Sequence, residues 1–114
     1  IQIQQVLVNL LRNAFDAMKD IDVNQRRVTV YSSFETGEIE VSVSDRGNGI
    51  PQDDLKHVFD PYVTTKSDGL GMGLCISKSI IEWHNGRIFG KRNSSPGMTF
   101  GFTLPSIDNG EMNL

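Results

Sequence analysis

Residues 38–49 of the chain have the sequence EIEVSVSDRGNG. Apolar and polar residues alternate over the first seven positions, which predicts a strand with one face against a core and the other in water. Asp45 continues the parity of the apolar residues, so the same alternation places its carboxylate on the core side. A buried carboxylate is costly unless it is paired or hydrogen-bonded. Asp45 is therefore a candidate functional residue.

Two glycines, Gly47 and Gly49, follow Asp45 closely. A glycine leaves room for a close approach to the backbone because it has no side chain. An acid on the core side beside such a backbone is suited to accept a hydrogen bond from an amino group on a flat ring, such as that of adenine. The alternative is an ordinary turn, because Asp-x-Gly-x-Gly is common at strand ends, and for these residues alone the turn is favoured.

The elements around this strand predict the fold class. Apolar residues at three- and four-residue spacing predict a helix over residues 2–19. Periodicity and turn residues predict the remaining elements: a strand over 27–34, helices over 51–57 and about 72–84, and strands over 87–92 and 98–104. The second long helix is expected to end at Asn85-Gly86 and to turn a broad apolar face to the core, formed by Met72, Ile76, Ile80 and Trp83. This order predicts an α+β fold, a two-layer sandwich with helices on one face of a mixed, largely antiparallel sheet.

Composition narrows the class of protein. The chain has 114 residues, of which 38% are hydrophobic and 22% charged, as expected for one globular domain rather than a disordered tail. Eleven basic against fourteen acidic residues give a net charge of −3, which argues against a nucleic-acid partner. A single cysteine, Cys75, excludes an internal disulfide and fits a cytoplasmic location. No apolar run approaches the roughly 20 residues of a membrane span, but the sequence leaves open whether a parent protein is membrane-anchored.

Two asparagines on the first predicted helix form a second candidate site. Asn9 and Asn13 are four residues apart, so they share one helix face. Asparagine is a poor helix former, and its amide oxygen is a hard ligand suited to Mg²⁺ held together with phosphates. The alternative is a solvated helix face, which is favoured for two asparagines taken alone.

A glycine-rich run, GLGMGL at residues 69–74, leads into the last predicted helix. Glycines at a helix N-terminus leave backbone N–H groups free to bind an anion, and Lys66 lies just before them as a possible phosphate ligand. The run is not a P-loop, because Gly73 is followed by Leu74 and Cys75 instead of Lys-Ser/Thr. A flexible hinge remains the alternative for this run alone.

Four motifs in this order carry a family resemblance: NLLRNA at 9–14, DRGNGI at 45–50, FDPYVTTK at 59–66 and GLGMGL at 69–74. The chain resembles the ATP-binding catalytic domain of two-component sensor histidine kinases, which has a Bergerat-type fold. Relatives include type II topoisomerases, mismatch-repair ATPases and heat-shock chaperones. The resemblance extends over residues 4–105, and the third motif looks most like the nitrogen-regulatory and oxygen-sensing type of kinase.

The resemblance implies ATP and Mg²⁺ as cofactors. It implies that Asp45 accepts from the adenine amino group, that Asn13 holds Mg²⁺ against the phosphates, and that residues 60–69 form a lid. The implied catalytic residues are Asn9 and Asn13, with Asn13 as the metal ligand. The implied nucleotide-binding residues are Asp45, Gly47, Gly49, Ile50, Thr65, Lys66, Gly69, Gly71, Gly73 and Leu74.

The resemblance also implies partners. The γ-phosphoryl group would pass to a histidine on a separate dimerisation domain of the same, homodimeric, parent protein, and then to the receiver domain of a response regulator. Neither His57 nor His84 precedes an acidic residue, as the phosphorylated histidine of the family does, so both are expected to be structural. The domain is expected to cover residues 1–105, as an N-terminally truncated fragment, followed by a polar tail at 106–114.

Two departures from the family pattern and two alternative functions bear on this hypothesis. Asp16 stands where many relatives carry a basic residue, and Lys66 is the only base in the expected lid, so nucleotide affinity is expected to be modest. One alternative is a self-contained ATPase, whose members carry a water-activating glutamate at the place of Asn9; an amide cannot take that proton. The other is a degenerate domain that binds partners and no nucleotide.

Overall fold

The computed structural model describes residues 2–60 and 73–106. Their elements, in chain order, are α1 (Gln2–Ala17), a 3₁₀ helix (Val23–Gln25), β1 (Thr29–Glu35), β2 (Glu38–Ser44), α2 (Gln52–Leu55), α3 (Gly73–Trp83), β3 (Arg87–Arg92) and β4 (Met98–Pro105). The predicted strands lie within about two residues of the observed ones. The sequence did not predict the 3₁₀ helix, in which the Asp22 carboxylate accepts from the backbone N–H of Asn24 at 3.4 Å.

The four strands form one sheet in the order β1-β2-β4-β3. All three strand pairings are antiparallel, so within the described residues the sheet is antiparallel rather than mixed. The β1–β2 hairpin turns at Thr36 and Gly37, which both have positive φ, at 22° and 81°. This two-residue connection fixes the register that puts Val30 opposite Val43 and Phe34 opposite Ile39.

The core lies between the helices and one face of the sheet. Alternate residues of β2 and β4 point to this face, because the side-chain period of a strand is two. The core contains Ile39, Val43, Phe100, Phe102 and Leu104 from the sheet, Ile3, Val6, Leu10 and Ala14 from α1, and Ile81 from α3. This arrangement confirms the predicted two-layer α+β sandwich. It also places the carboxyl end of β2 beside the carboxyl end of α1.

The orientation of α3 differs from the sequence prediction. The helix buries Ser77 and Ile81, whereas Ile76 is 43% exposed and Trp83 is 83% exposed. The expectation that Ile76 and Trp83 face the core is therefore wrong, while Ile80 is half-buried and Met72 lies outside the described residues. At Ser77, α3 contacts α1 through a hydrogen bond that the side-chain amide of Asn9 donates to the Ser77 hydroxyl at 3.2 Å. A polar pair thus lies between the helices, where the sequence pattern had predicted apolar side chains.

The end of α3 is as predicted. Asn85 has the left-handed conformation, with φ at 64°, and the backbone N–H of Gly86 donates to the carbonyl of Ile81 at 2.9 Å. A Cβ atom at Gly86 would lie 2.0 Å from the carbonyl oxygen of Thr103 in β4, so only glycine fits at this position. None of the helices in residues 2–60 and 73–106 is long and apolar enough to cross a bilayer.

Candidate functional site

The ends of α1 and β2 meet at the start of β4. The backbone N–H of Asp45 donates to the carbonyl of Met98 at 2.9 Å, which extends the sheet pairing by one residue. A Cβ atom at Gly47 would lie 2.5 Å from the carbonyl oxygen of Ala17. Gly47 is therefore needed for close packing on the last residue of α1. It does not line the cavity beside Asp45, so the role beside the base that the resemblance implies for Gly47 stays a prediction.

Asp45 is buried, with 3% of its surface exposed. Its Oδ1 atom accepts hydrogen bonds from the backbone N–H groups of Gly47, at 2.8 Å, and Met98, at 3.2 Å. Within the described part of the chain, its other oxygen, Oδ2, has no hydrogen-bond donor. The core-side placement predicted from strand parity is confirmed, and one carboxylate oxygen is left for a ligand.

Burial raises the pKa of the Asp45 carboxyl above its ordinary value of 3.8. The cause is desolvation, because an ionised group loses more hydration energy on burial than a neutral one. The backbone hydrogen bonds from Gly47 and Met98 stabilise the charged form and lower the pKa, but by less. A ligand that donates a hydrogen bond to Oδ2 would offset part of this desolvation.

A cavity of about 210 Å³ opens beside Asp45. Many small-molecule sites are larger, about 300–1,000 Å³, so the volume of this cavity is that of a site for part of a ligand rather than for a whole nucleotide. Three of its lining residues are buried, Asp45, Met98 and Phe100, and charged side chains are also among them. The lining residues are Asn13, Asp16, Ala17, Lys19, Asp20, Asp45, Asn48, Gly49, Ile50, Met98 and Phe100.

The two asparagines predicted as a pair lie in different places. Asn13 lines the cavity, and its amide makes no hydrogen bond within the described residues. Asn9 instead joins the two long helices, because its Nδ2 donates to the carbonyl of Gly73 at 3.4 Å and to the Ser77 hydroxyl at 3.2 Å. The Oδ1 of Asn9 accepts from the side chain of Gln5 at 3.0 Å. Asn13 is thus available to a ligand, and Asn9 supports the first residue of α3.

The structure brings together only part of the predicted site. Asn13, Asp45, Gly49 and Ile50 surround the cavity, whereas Gly73 and Leu74 lie in the first turn of α3 and do not line it. Four predicted residues lie outside the described ranges: Thr65, Lys66, Gly69 and Gly71.

Sequence reasoning did not assign seven of the cavity residues to the site: Asp16, Ala17, Lys19, Asp20, Asn48, Met98 and Phe100. Met98 and Phe100 share the core-side parity of β4, but only the observed register, with Val43 opposite Phe100, places them beside Asp45. Ala17 shares the helix face of Asn13, four residues earlier, and that spacing was a usable signal.

The model of the histidine kinase-, DNA gyrase B-, and HSP90-like ATPase family matches residues 1–108. The chain belongs to this family. Sensor protein FixL of Bradyrhizobium diazoefficiens is 49% identical over 110 residues, covering 95% of this chain and 21% of FixL. Sensor protein TdiS of Thauera aromatica is 41% identical over 107 residues, covering 92% of this chain and 20% of TdiS. The chain thus spans about a fifth of the length of these sensor proteins.

Solved structures show the same likeness. The catalytic domain of histidine kinase ThkA superposes with a TM-score of 0.79 at 35% identity, covering 91% of this chain and 66% of that one. Full-length ShkA in complex with AMPPNP superposes with a TM-score of 0.77 at 27% identity, covering 91% of this chain and 21% of ShkA. The chain is an ATP-binding domain of the sensor histidine kinase kind.

Proposed function

We propose that this domain binds Mg-ATP and presents the γ-phosphoryl group to a histidine on a separate dimerisation domain of its parent protein. The observation that carries the proposal is the state of Asp45. Its Oδ1 is occupied by two backbone N–H groups, while Oδ2 has no donor among the described residues and the residue lines the cavity. Such a group is built to accept one hydrogen bond from a ligand.

Adenine would suit this cavity in size and in polarity. Its exocyclic amino group would donate to Oδ2 of Asp45, which is a charge-assisted hydrogen bond when the carboxyl is ionised. Its ring would lie between the apolar groups of Ile50 and Met98, which line the same cavity. Gly49 has a φ of 79°, and a side chain would strain the backbone at this position beside the base.

Asn13 fits a magnesium site. Its amide lines the cavity without a hydrogen bond in the described residues, and amide oxygens are among the hard ligands that Mg²⁺ takes together with phosphate oxygens. When bound, the ion would neutralise phosphate charge. Lys66 and the glycines of residues 69–73 are proposed to hold the phosphates through a side-chain ammonium and backbone N–H groups.

The proposal requires a nucleophile from outside the chain. Phosphoryl transfer depends chiefly on holding the nucleophile in line with the γ-phosphate. The ring of His57, two residues after the end of α2, contacts the carboxylate of Asp60 at 3.0 Å and does not line the cavity. The ring of His84 bonds the carbonyl of Ile80 at 2.8 Å, at the far end of α3. We therefore assign the phosphoacceptor to a dimerisation domain in a homodimeric parent, with a receiver domain as the next acceptor.

The proposed location of the domain is the cytoplasm, where ATP is available and the thiol of Cys75 stays reduced. A self-contained ATPase is the weaker candidate, because Asn9 carries an amide where a water-activating carboxylate would be needed. That amide is already bonded to Gly73 and Ser77.

The test is incubation with γ-labelled ATP and Mg²⁺. The chain alone should bind nucleotide, transfer no label and release phosphate very slowly. Addition of the parent's histidine-bearing dimerisation domain should produce acid-labile label on that domain, and Asp45→Asn should reduce it. Label on His57 or His84, or rapid steady phosphate release by the chain alone, would contradict the kinase assignment and favour the ATPase.

A further inference from the structure

Asn93, in the turn between β3 and β4, lies directly behind the proposed adenine contact. Its Nδ2 donates to the backbone carbonyl of Asp45 at 3.2 Å and to the hydroxyl of Ser44 at 3.1 Å. Its Oδ1 accepts from the hydroxyl of Thr99 at 2.6 Å. Asn93 does not line the cavity, so it acts on a ligand only through its neighbours.

The three side chains form a closed ring of hydrogen bonds. The Oδ1 of Asn93 can only accept, so the Thr99 hydroxyl must use its single proton on that atom. The Ser44 and Thr99 oxygens are 3.1 Å apart, and this contact is then made by the proton of Ser44. Each member donates to the next, an arrangement in which hydrogen bonds strengthen one another. The ring fixes the orientation of the Asn93 amide and hence the donor that faces Asp45.

Asn93 provides the only side-chain hydrogen bond that Asp45 receives within the described residues. The other bonds of Asp45 are to backbone groups: its N–H donates to Met98, and its Oδ1 accepts from Gly47 and Met98. Asn93 is thus the one contact of Asp45 that a substitution removes without changing the sheet or the carboxylate itself.

The turn that carries Asn93 presses closely on Asp45. The backbone N–H of Asn93 donates to the carbonyl of Gly97 at 3.0 Å and closes the turn. Gly97 has a φ of 122°, and a Cβ atom there would lie 2.0 Å from the carbonyl oxygen of Asp45. A shift of this turn therefore moves the backbone of Asp45 with it.

We propose that Asn93 is a positioning residue for nucleotide recognition: it fixes the backbone of Asp45 so that Oδ2 meets the amino group of adenine. The inference rests on the proposed function, because it requires Asp45 to bind that amino group. It predicts that Asn93 contributes to the part of the affinity that depends on the amino group and contributes little to the rest.

The test compares ATP with purine riboside triphosphate, which has hydrogen in place of the amino group, by calorimetric titration in the presence of Mg²⁺. The dissociation constant of the analogue divided by that of ATP measures the contribution of the amino-group contact to affinity. Asn93→Ala should reduce this ratio about three- to tenfold, as expected for the loss of a typical net hydrogen bond, and leave the affinity for the analogue nearly unchanged. Ser94→Ala, on the exposed side of the same turn, is the matched control and should leave the ratio as it is.

A second variant covers the case in which Asn93→Ala does not fold. Thr99→Val keeps the shape of a buried side chain and removes the proton that orients the Asn93 amide, so it should reduce the ratio by a smaller factor. A merely structural role would lower the affinity for both nucleotides equally, or only the melting temperature. If Asp45→Asn lowers the ratio and Asn93→Ala does not, the inference is wrong and the proposed function stands. If Asp45→Asn itself leaves the ratio unchanged, the assignment of Asp45 fails.

Discussion

Directly after β2, Asp45 is held mainly by backbone groups at the end of the sheet and in the loop that follows, whereas at the start of α3, Gly73 is held by a side chain of α1. The Asp45 carboxylate accepts from the backbone N–H groups of Gly47 and Met98, and the backbone N–H of Asp45 donates to the carbonyl of Met98, all at 2.8–3.2 Å. The Asn9 amide reaches the carbonyl of Gly73 at 3.4 Å. The proposed base contact is thus joined to the end of the sheet, while Gly73, the first residue of α3, is held by a contact between two helices.

Because of this difference, we expect Asp45 to affect mainly nucleotide affinity and Asn9 to affect mainly the stability of the fold. Asp45 is well positioned but unfavourable for folding when ionised, because its charge is buried and Oδ2 has no donor in the described residues. Asn9 is favourable for folding, because it satisfies the hydroxyl of fully buried Ser77, but it does not line the cavity. Substitutions at the two positions should therefore have opposite balances of effect on binding and on melting temperature.

The largest effect is expected for Asp45→Asn. The amide oxygen keeps the place of Oδ1 with its two backbone donors, but the amide nitrogen replaces Oδ2 and presents a donor to the donor of adenine. Loss of a hydrogen bond to a charged group costs about 1.5–3 kcal/mol, which corresponds to roughly a 10- to 100-fold weaker dissociation constant. Titration calorimetry with Mg-ATP measures it.

The control for this variant is its stability. At neutral pH the melting temperature of Asp45→Asn without nucleotide should not be below that of the parent, since the substitution removes a buried charge. A folded variant that binds ATP as tightly as the parent would remove Asp45 from the base site.

The next effect concerns Asn13. Asn13→Ala should abolish the part of ATP affinity that depends on Mg²⁺, so that titrations with the metal and with a chelator give the same result. Its melting temperature should change little, because the amide makes no hydrogen bond in the described structure. Equal affinities with Mg²⁺ and with a chelator in the parent would contradict the magnesium assignment at the outset.

Asn9→Ala should reduce stability more than it reduces nucleotide affinity. It leaves the buried hydroxyl of Ser77 without its partner, which costs about 1–3 kcal/mol of stability. Nucleotide affinity should fall by less than in Asn13→Ala. Thermal unfolding and calorimetry on the two variants side by side decide the point, and a greater loss of affinity in Asn9→Ala would place Asn9 in direct contact with the nucleotide.

The smallest effect is a pH dependence. Because the native pKa of Asp45 is raised above 3.8, the native state binds this proton more tightly than the unfolded chain does. The resulting stability is fully present below pH 3.8 and is lost as the pH rises through the native pKa. The melting temperature of Asp45→Asn minus that of the parent should therefore increase over this pH window and stay constant above it. A difference that decreases with rising pH would show that the native pKa of Asp45 is lowered.

The fold was largely predictable because apolar residues recur at every second position of β2 and β4, and because glycine and asparagine mark the turns. The parity of Asp45 was enough to place it in the core. The orientation of α3 was not predictable, since Ile76 and Trp83 have core-like spacing and the buried contact is made by the hydroxyl of Ser77. Polar contacts between distant elements, such as those of Asn93, leave no periodic signal in a sequence. The roles of Lys66 and its neighbours stay predictions.

The exposure of Trp83 has an optical consequence. It is the only tryptophan of the chain, and it stands almost fully in water at the end of α3 opposite to Gly73. Its emission reports on one part of the surface, and Trp83 does not line the cavity beside Asp45. Nucleotide binding should leave its emission red-shifted and open to a soluble quencher, while any protein that covers this end of α3 should shift the emission to the blue and shield it.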